Sequence, residues 1–290
     1  MQISVPFQEI YVSLLSVATL LGMGLGLTLE QISDTIRQHW KKLLWGVIFN
    51  FVVIPFVALG IRDAVNLEPA FFTGFFLCMA APGGGTGSLL TYCAKGDISF
   101  SVALMFILTL VSLFATPLLM VFAVPVNNGT SPWLAVIPMV NTLVLYILGP
   151  LVLGLAIRKQ WPFIALSLVK PVTRLSMIML LILVVGYLFI KGDQILVGGL
   201  TLIILSLASA CIALAGGMTT TPHAGLRRSL GFTSSVRNVT LAILLASTSY
   251  PDPRTMLAVL AYGLAQYVIS FPAAFMAVRL TGNQPFASTS

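Results

Sequence analysis

Apolar stretches of about twenty residues alternate with short polar or charged segments along the whole chain. A hydrocarbon layer roughly 30 Å thick asks a helix for about twenty apolar residues. Spans of a β-barrel would be shorter and would alternate in polarity. The pattern therefore predicts an all-α polytopic membrane protein with nine transmembrane segments. They fall at roughly 9–29, 41–61, 69–95, 97–123, 133–157, 170–190, 194–216, 224–249 and 253–280. The opening "MQISVPFQEI" lacks the basic start of a secretory signal, so the first apolar stretch is expected to stay as a span.

Two of the nine segments are interrupted. The third reads "PAFFTGFFLCMAAPGGGTGSLLTYCAKGD", and Pro82 followed by Gly83, Gly84 and Gly85 cannot continue a regular helix cheaply. The eighth carries the polar knot "TSSVRN" at a similar depth but has no proline or glycine after Gly231, so its break is less firmly written. Segments three and eight stand five apart, and an odd offset makes equivalent helices run in opposite directions. The order fits two inverted repeats, about 9–123 and about 170–280, joined by the segment at about 133–157 within a single domain, 1–290. Paired interruptions in matching positions point to a transport site, where half-helix ends aim partial charges at one centre. A tight-packing kink is the plainer reading of "PGGG" taken alone.

Composition agrees with the pattern: 58% of residues are hydrophobic and 8% are charged. The net charge of +7 comes from basic residues scattered between apolar stretches, which excludes a nucleic-acid patch and suits loops at a membrane surface. With the N-terminus outside, the inner loops receive Arg37, Lys41, Lys42, Lys95, Arg158, Lys159, Lys170, Arg174, Arg227, Arg228 and Arg279. The outer loops receive Arg62, Lys191 and Arg254. That bias predicts an integral protein of the plasma (inner) membrane with N-terminus outside and C-terminus inside. Trp40, Trp45, Trp133 and Trp161 fall at segment ends, as an aromatic belt would place them. Cys78, Cys93 and Cys211 lack metal-ligand spacing and read as reduced packing residues, and the sequon Asn128-Gly129-Thr130 is too short a pattern to use.

All eight acidic residues and both histidines lie in loops or at segment ends. Among ionisable side chains only Arg237 falls well inside a segment, which makes it a functional candidate by default. An intramembrane enzyme would need converging acid, base or metal-ligand groups, and no segment supplies them.

Four stretches carry a resemblance: "GMGLGLTL" at 22–29, "FNFVVIPF" at 49–56, "APGGGTGSLLTYCAKGD" at 81–97, and Arg237-Asn238 before a helix of small residues. In order and spacing the chain resembles the bile acid:sodium symporter family over essentially its whole length. Bacterial members usually have ten spans, and this chain would lack the first. The resemblance implies a core domain holding two crossing broken helices, a flatter panel domain beside it, and an organic anion bound between them. It places Gly84, Gly85, Thr86, Ser88, Arg237 and Asn238 at the substrate. Positions equivalent to the family's cation sites are Asn50, Gly87, Ser88, Ser101, Met105, Thr233, Ser234, Val236 and Arg237.

Several of these depart from the family pattern. Asn50 stands for a glutamine, Gly87 for a serine, Ser88 for an asparagine, and Met105 for a threonine. Thr233 stands for the acidic ligand and Arg237 for a glutamine, while Ser101 matches. A guanidinium and a sodium ion about 4 Å apart would repel by about 4 kcal/mol at an effective dielectric of about 20. Conventional sodium coupling is therefore doubtful, and no other cofactor or metal is expected. Three roles for Arg237 stay open: a permanent stand-in for sodium bonded to Asn50 and backbone carbonyls, a partner for an anionic substrate, or a side chain snorkelling to an interface. Ser234, Ser235 and Thr240 read as backbone-satisfying or substrate contacts, and Asn141 and Gln266 as helix-packing contacts. The expected function is a secondary transporter or facilitator of bile-acid-like or small carboxylate anions, working by alternating access. The alternative is a sodium symporter with one altered site. Partners are the anion and membrane lipid, the protein being a monomer or weak homo-oligomer.

Overall fold

The computed structural model describes residues 5–65, 67–124 and 132–280, all built from helices and short connections. The order is α1 (Val5–Gly26), α2 (Leu29–Ile48), α3 (Ile54–Ala64), α4 (Pro69–Ala80), α5 (Thr86–Cys93) and α6 (Ile98–Ala123). Then come α7 (Pro132–Leu143), α8 (Gly149–Gln160), α9 (Pro162–Thr219), α10 (Ala224–Ser235), α11 (Val239–Thr248) and α12 (Pro253–Leu280). Two π-helical turns, Phe49–Val53 and Val144–Leu148, join α2 to α3 and α7 to α8. Each is followed within two residues by a proline, Pro55 or Pro150, whose missing N–H a widened turn accommodates.

Among the described residues, seven helical stretches are long and apolar enough to cross a membrane: Gln8–Gly26, Leu29–Arg62, Ile98–Ala123, Leu134–Gln160, Pro162–Tyr187, Leu200–Thr219 and Pro253–Ala277. Two further apolar helices, Pro69–Ala80 and Val239–Thr248, are shorter because the chain leaves helical geometry beside them. Large apolar side chains stand open on the outside, Phe163 at 86% and Phe189 at 88% exposure, as a lipid-facing surface requires.

Two boundaries differ from the hydropathy reading. The polar segment before residue 41 was expected to be a loop, yet α2 begins at Leu29 and runs through it, bent at His39. Buried Ile32 and Thr35 give it an inward face that a twenty-residue average conceals. Helical backbone also runs through the polar turn expected near 191–193, so that α9 includes two apolar stretches, Pro162–Tyr187 and Leu200–Thr219. The sequon at 128–130 and the side chains of Asp63, Trp133, Lys191 and Asp193 lie outside the described residues.

The helices pack in two groups. In one, α1 lies against α8 and α9, with Gly22 beside Val172 and Thr173. In the other, α4, α5, α6, α10, α11 and α12 gather around the interruptions, and the later part of α9 joins them where Gly217 meets Gly231. The core runs through both groups, from Leu15 and Leu20 on α1 to Phe75, Leu104, Leu244 and Tyr262.

Candidate functional site at the helix interruptions

The interruptions at 81–85 and 236–238 meet as a short antiparallel crossing, with Pro82 opposite Arg237. The Gly84 N–H donates to the Val236 carbonyl at 3.3 Å, and the Asn238 N–H donates to the Ala81 carbonyl at 2.8 Å. Gly83 sits at φ +94°, a left-handed conformation that only glycine adopts without strain. A Cβ on Gly84 would stand 2.3 Å from the Arg237 carbonyl oxygen, so close approach requires glycine there as well.

One face of α6 satisfies the carbonyls that the first interruption frees. Thr116 donates to Ala80 O at 2.6 Å, Ser112 to Pro82 O at 3.3 Å and Thr109 to Gly83 O at 3.3 Å. Backbone at membrane depth needs such partners, because hydrocarbon supplies none. On the other segment, the Arg237 N–H donates to Gln266 Oε1 of α12 at 2.8 Å, and Ser235 pairs with Ser270 at 3.1 Å. Asn238 caps α11 by accepting from Leu241 N–H at 3.1 Å.

The side chain of Arg237 is 1% exposed. Its Nη1 donates to Asn50 Oδ1 at 2.9 Å, and Asn50 Nδ2 in turn donates to Gly46 O at 2.8 Å and Ser234 Oγ at 2.9 Å. The π-helical turn of Phe49–Val53 presents Asn50 to this position. The buried hydroxyl of Tyr262 lies beside the guanidinium, whose Nε and Nη2 have no partner in good hydrogen-bonding geometry among the described residues. Every ion pair among the described residues belongs to Arg254, so no carboxylate faces the guanidinium.

A second polar cluster lies behind the crossing. Thr91 Oγ1 donates to Gly87 O at 2.9 Å and to Ser101 Oγ at 3.1 Å, and Ser101 pairs with Thr233 Oγ1 at 2.6 Å. These hydroxyls bond one another and the backbone, and all three residues are fully buried. On the far side a cavity of about 380 Å³ opens between α1, the first part of α9 and the crossing. Leu20, Met23, Leu27, Val102, Met105, Met177 and Leu180 give it an apolar wall, and Thr19, Thr86, Ser88, Thr173, Ser176 and Thr240 a hydroxyl-bearing one. Thr86 Oγ1 pairs with Tyr267 OH at 2.9 Å at its edge.

A family model described as the Sodium Bile acid symporter family matches residues 12–197. The chain belongs to this family. It is 29% identical over 150 residues to an uncharacterized sodium-dependent transporter of Bacillus subtilis (strain 168), covering 52% of this chain and 46% of that one. It is 33% identical over 101 residues, 35% of this chain and 25% of the other, to a probable chloroplastic sodium/metabolite cotransporter of Arabidopsis thaliana. A probable chloroplastic sodium/metabolite cotransporter of rice (Oryza sativa subsp. japonica) is 26% identical over 249 residues, 82% of this chain and 58% of its own. In each case the match spans less than two thirds of the relative's length. With described helices long and apolar enough to cross a membrane, the chain is an integral membrane protein of this family.

Within this fold the residues singled out from sequence fall into three places. Gly84, Gly85, Thr86, Ser88, Met105, Arg237 and Asn238 all line the cavity. Asn50 and Ser234 lie at the guanidinium, and Val236 contributes its carbonyl to the crossing. Gly87, Ser101 and Thr233 belong to the hydroxyl cluster, whereas Ser88 is half-buried and bonds locally to Gly85 O at 3.1 Å. Sequence reasoning missed Thr91, Thr109, Ser112, Thr116, Tyr262 and Tyr267, and it read Gln266 as a packing contact. Thr109, Ser112 and Thr116 share one α6 face at spacings of three and four, a polar stripe that could have been read as a partner for freed carbonyls. Nothing in the sequence marked Tyr262 or Tyr267.

Proposed function

We propose that this family member is an alternating-access carrier of small organic anions in which Arg237 takes the place of a coupling sodium ion. The observation that carries the reading is the buried bond from Arg237 Nη1 to Asn50 Oδ1, at a position equivalent to a family cation site. An oxygen that would face a cation already faces a fixed one. The cluster of Thr91, Ser101 and Thr233 offers neutral hydroxyls committed to each other, with no carboxylate to offset an ion's charge. The reading includes nine segments, the two short interrupted pairs each counting as one span, with the N-terminus outside in a plasma (inner) membrane.

Substrate recognition follows from the crossing. Helices α5 and α11 both begin at the cavity, so their N-terminal partial charges converge there and favour an anion. Arg237 adds a full positive charge just beneath the wall, while the apolar lining suits the substrate's carbon skeleton. The group containing α1 and α8 would rock against the group holding the crossing, exposing the cavity to each side in turn.

Uptake of substrate into proteoliposomes is expected to continue when choline replaces sodium, and Arg237→Gln is expected to abolish it or make it sodium-sensitive. Strict sodium dependence of the unaltered protein would refute the stand-in role. It would favour a sodium symporter with a single altered site at Ser101 and Thr233, a reading supported by the sodium dependence in its relatives' names.

A further inference from the structure

Among the described residues the cavity lining contains no aspartate, glutamate, histidine or lysine, and its charged member is Arg237. Ser, Thr, Tyr and Asn side chains hold their protonation state at ordinary pH, and an arginine never gives up its proton there. No group at the cavity is therefore suited to carry a proton with the substrate. Among the described residues Arg237 meets neutral oxygens, bonding Asn50 Oδ1 and lying beside the Tyr262 hydroxyl. Its single charge meets no counter-charge among the described residues.

Over a complete cycle every fixed group returns to its starting place, so the charge moved is that of the passengers alone. A co-transported sodium ion adds its charge to the anion's. A fixed guanidinium goes out and back with the protein and adds nothing. From this we infer that each cycle carries an organic monoanion with its charge uncompensated, so that transport is electrogenic and runs toward the positive side of the membrane. The inference rests on the sodium-free reading above and extends it to the substrate's charge and the direction of flow. A monoanion brings the crossing to neutrality, whereas a dianion leaves a net negative charge in a low-dielectric site. A potential of 100 mV then sustains a concentration ratio of about 50-fold for a monoanion. Across a membrane that is negative inside, this chain exports.

The test uses the purified full chain in liposomes, in choline buffer with pH equal on both sides. A potassium gradient with valinomycin sets the potential, and empty liposomes give the blank. The probes are lactate, gluconate and hippurate as monoanions and succinate as a dianion. At least one monoanion is expected to accumulate toward the positive side about 50-fold per 100 mV. Succinate is expected to move at least about tenfold more slowly, and reversing the potential should reverse the flow. Sodium-free flux that ignores the potential overturns the inference and leaves the sodium-free reading intact. Flux that appears only with sodium overturns both. Failure of all three monoanions to move in either buffer overturns the monoanion assignment, and the inference with it.

Discussion

The two interruptions that meet at the crossing are opposites in how they are made. At 81–85 the backbone cannot continue as a helix, because Pro82 lacks an N–H and Gly83 sits at φ +94°. At 236–238 the residues are valine, arginine and asparagine, each able to stay helical. Here the extended geometry is held from outside, by Gly84 N–H on the Val236 carbonyl, Ala81 O on the Asn238 N–H, and Gln266 on the Arg237 N–H. One break is local chemistry and the other is tertiary structure. The first can form before its partner arrives, whereas the second exists only once the crossing has assembled.

The sharpest way to break this comparison is at the point of contact. Gly84→Ala puts a methyl group 2.3 Å from a backbone oxygen that cannot move aside, and is expected to cost about 3 kcal/mol or more. Gly85→Ala, where a Cβ meets nothing within 4 Å, should stay within about 0.5 kcal/mol. Thermal unfolding in detergent measures both, and equal effects would show that the crossing does not depend on close approach.

A smaller effect separates the two kinds of break. Gln266→Leu leaves the Arg237 N–H without its acceptor and is expected to cost about 2 kcal/mol. Thr116→Val removes one hydroxyl from the Ala80 carbonyl and is expected to cost about 1 kcal/mol, since the first break is already written in the chain. Hydrogen exchange at 236–241 should rise with the first variant and hold with the second. The reverse order would contradict the assignment of local and tertiary causes.

The smallest effect lies away from the crossing, where Arg254 joins Asp252 and Glu68 at the starts of α12 and α4. Hydrogen bonds from Arg254 hold the Asp252 carboxyl below its ordinary value of 3.8. The stabilisation is therefore present above pH about 3.8 and is lost as pH falls through the lower folded value. Asp252→Asn should reduce stability by less than about 1 kcal/mol at pH 7, because the pair is partly solvated. It should flatten the acid limb of a melting curve, and an unchanged limb would show that this pair does not contribute.

The same contrast explains what could be read from the sequence. Long apolar stretches, the first interruption and the isolation of Arg237 are properties of consecutive residues, and each was visible. The pairing of Arg237 with Asn50 joins positions 187 apart, but the resemblance had placed both near one site. Gln266 stayed hidden because an intramembrane glutamine is usually a helix-packing contact, and its acceptor role appears only when a neighbouring segment unwinds. The helix over Leu29–Trp40 was concealed by averaging, since its apolar face is narrow and its other face is charged.

The stripe of hydroxyls on α6 is not uniform along its length. Thr109 and Ser112 each hold a shorter bond within α6, at 2.9 Å to Met105 O and 2.7 Å to Leu108 O, than to the segment opposite. If that segment slides, neither hydroxyl is stranded, because its second acceptor travels with it. Thr116 grips Ala80 at 2.6 Å, where the segment leaves α4. The stripe thus behaves as an anchored bearing, fixed at Ala80 and free-running toward Gly83. A shift at the mouth of the cavity would therefore leave the root of the crossing in place.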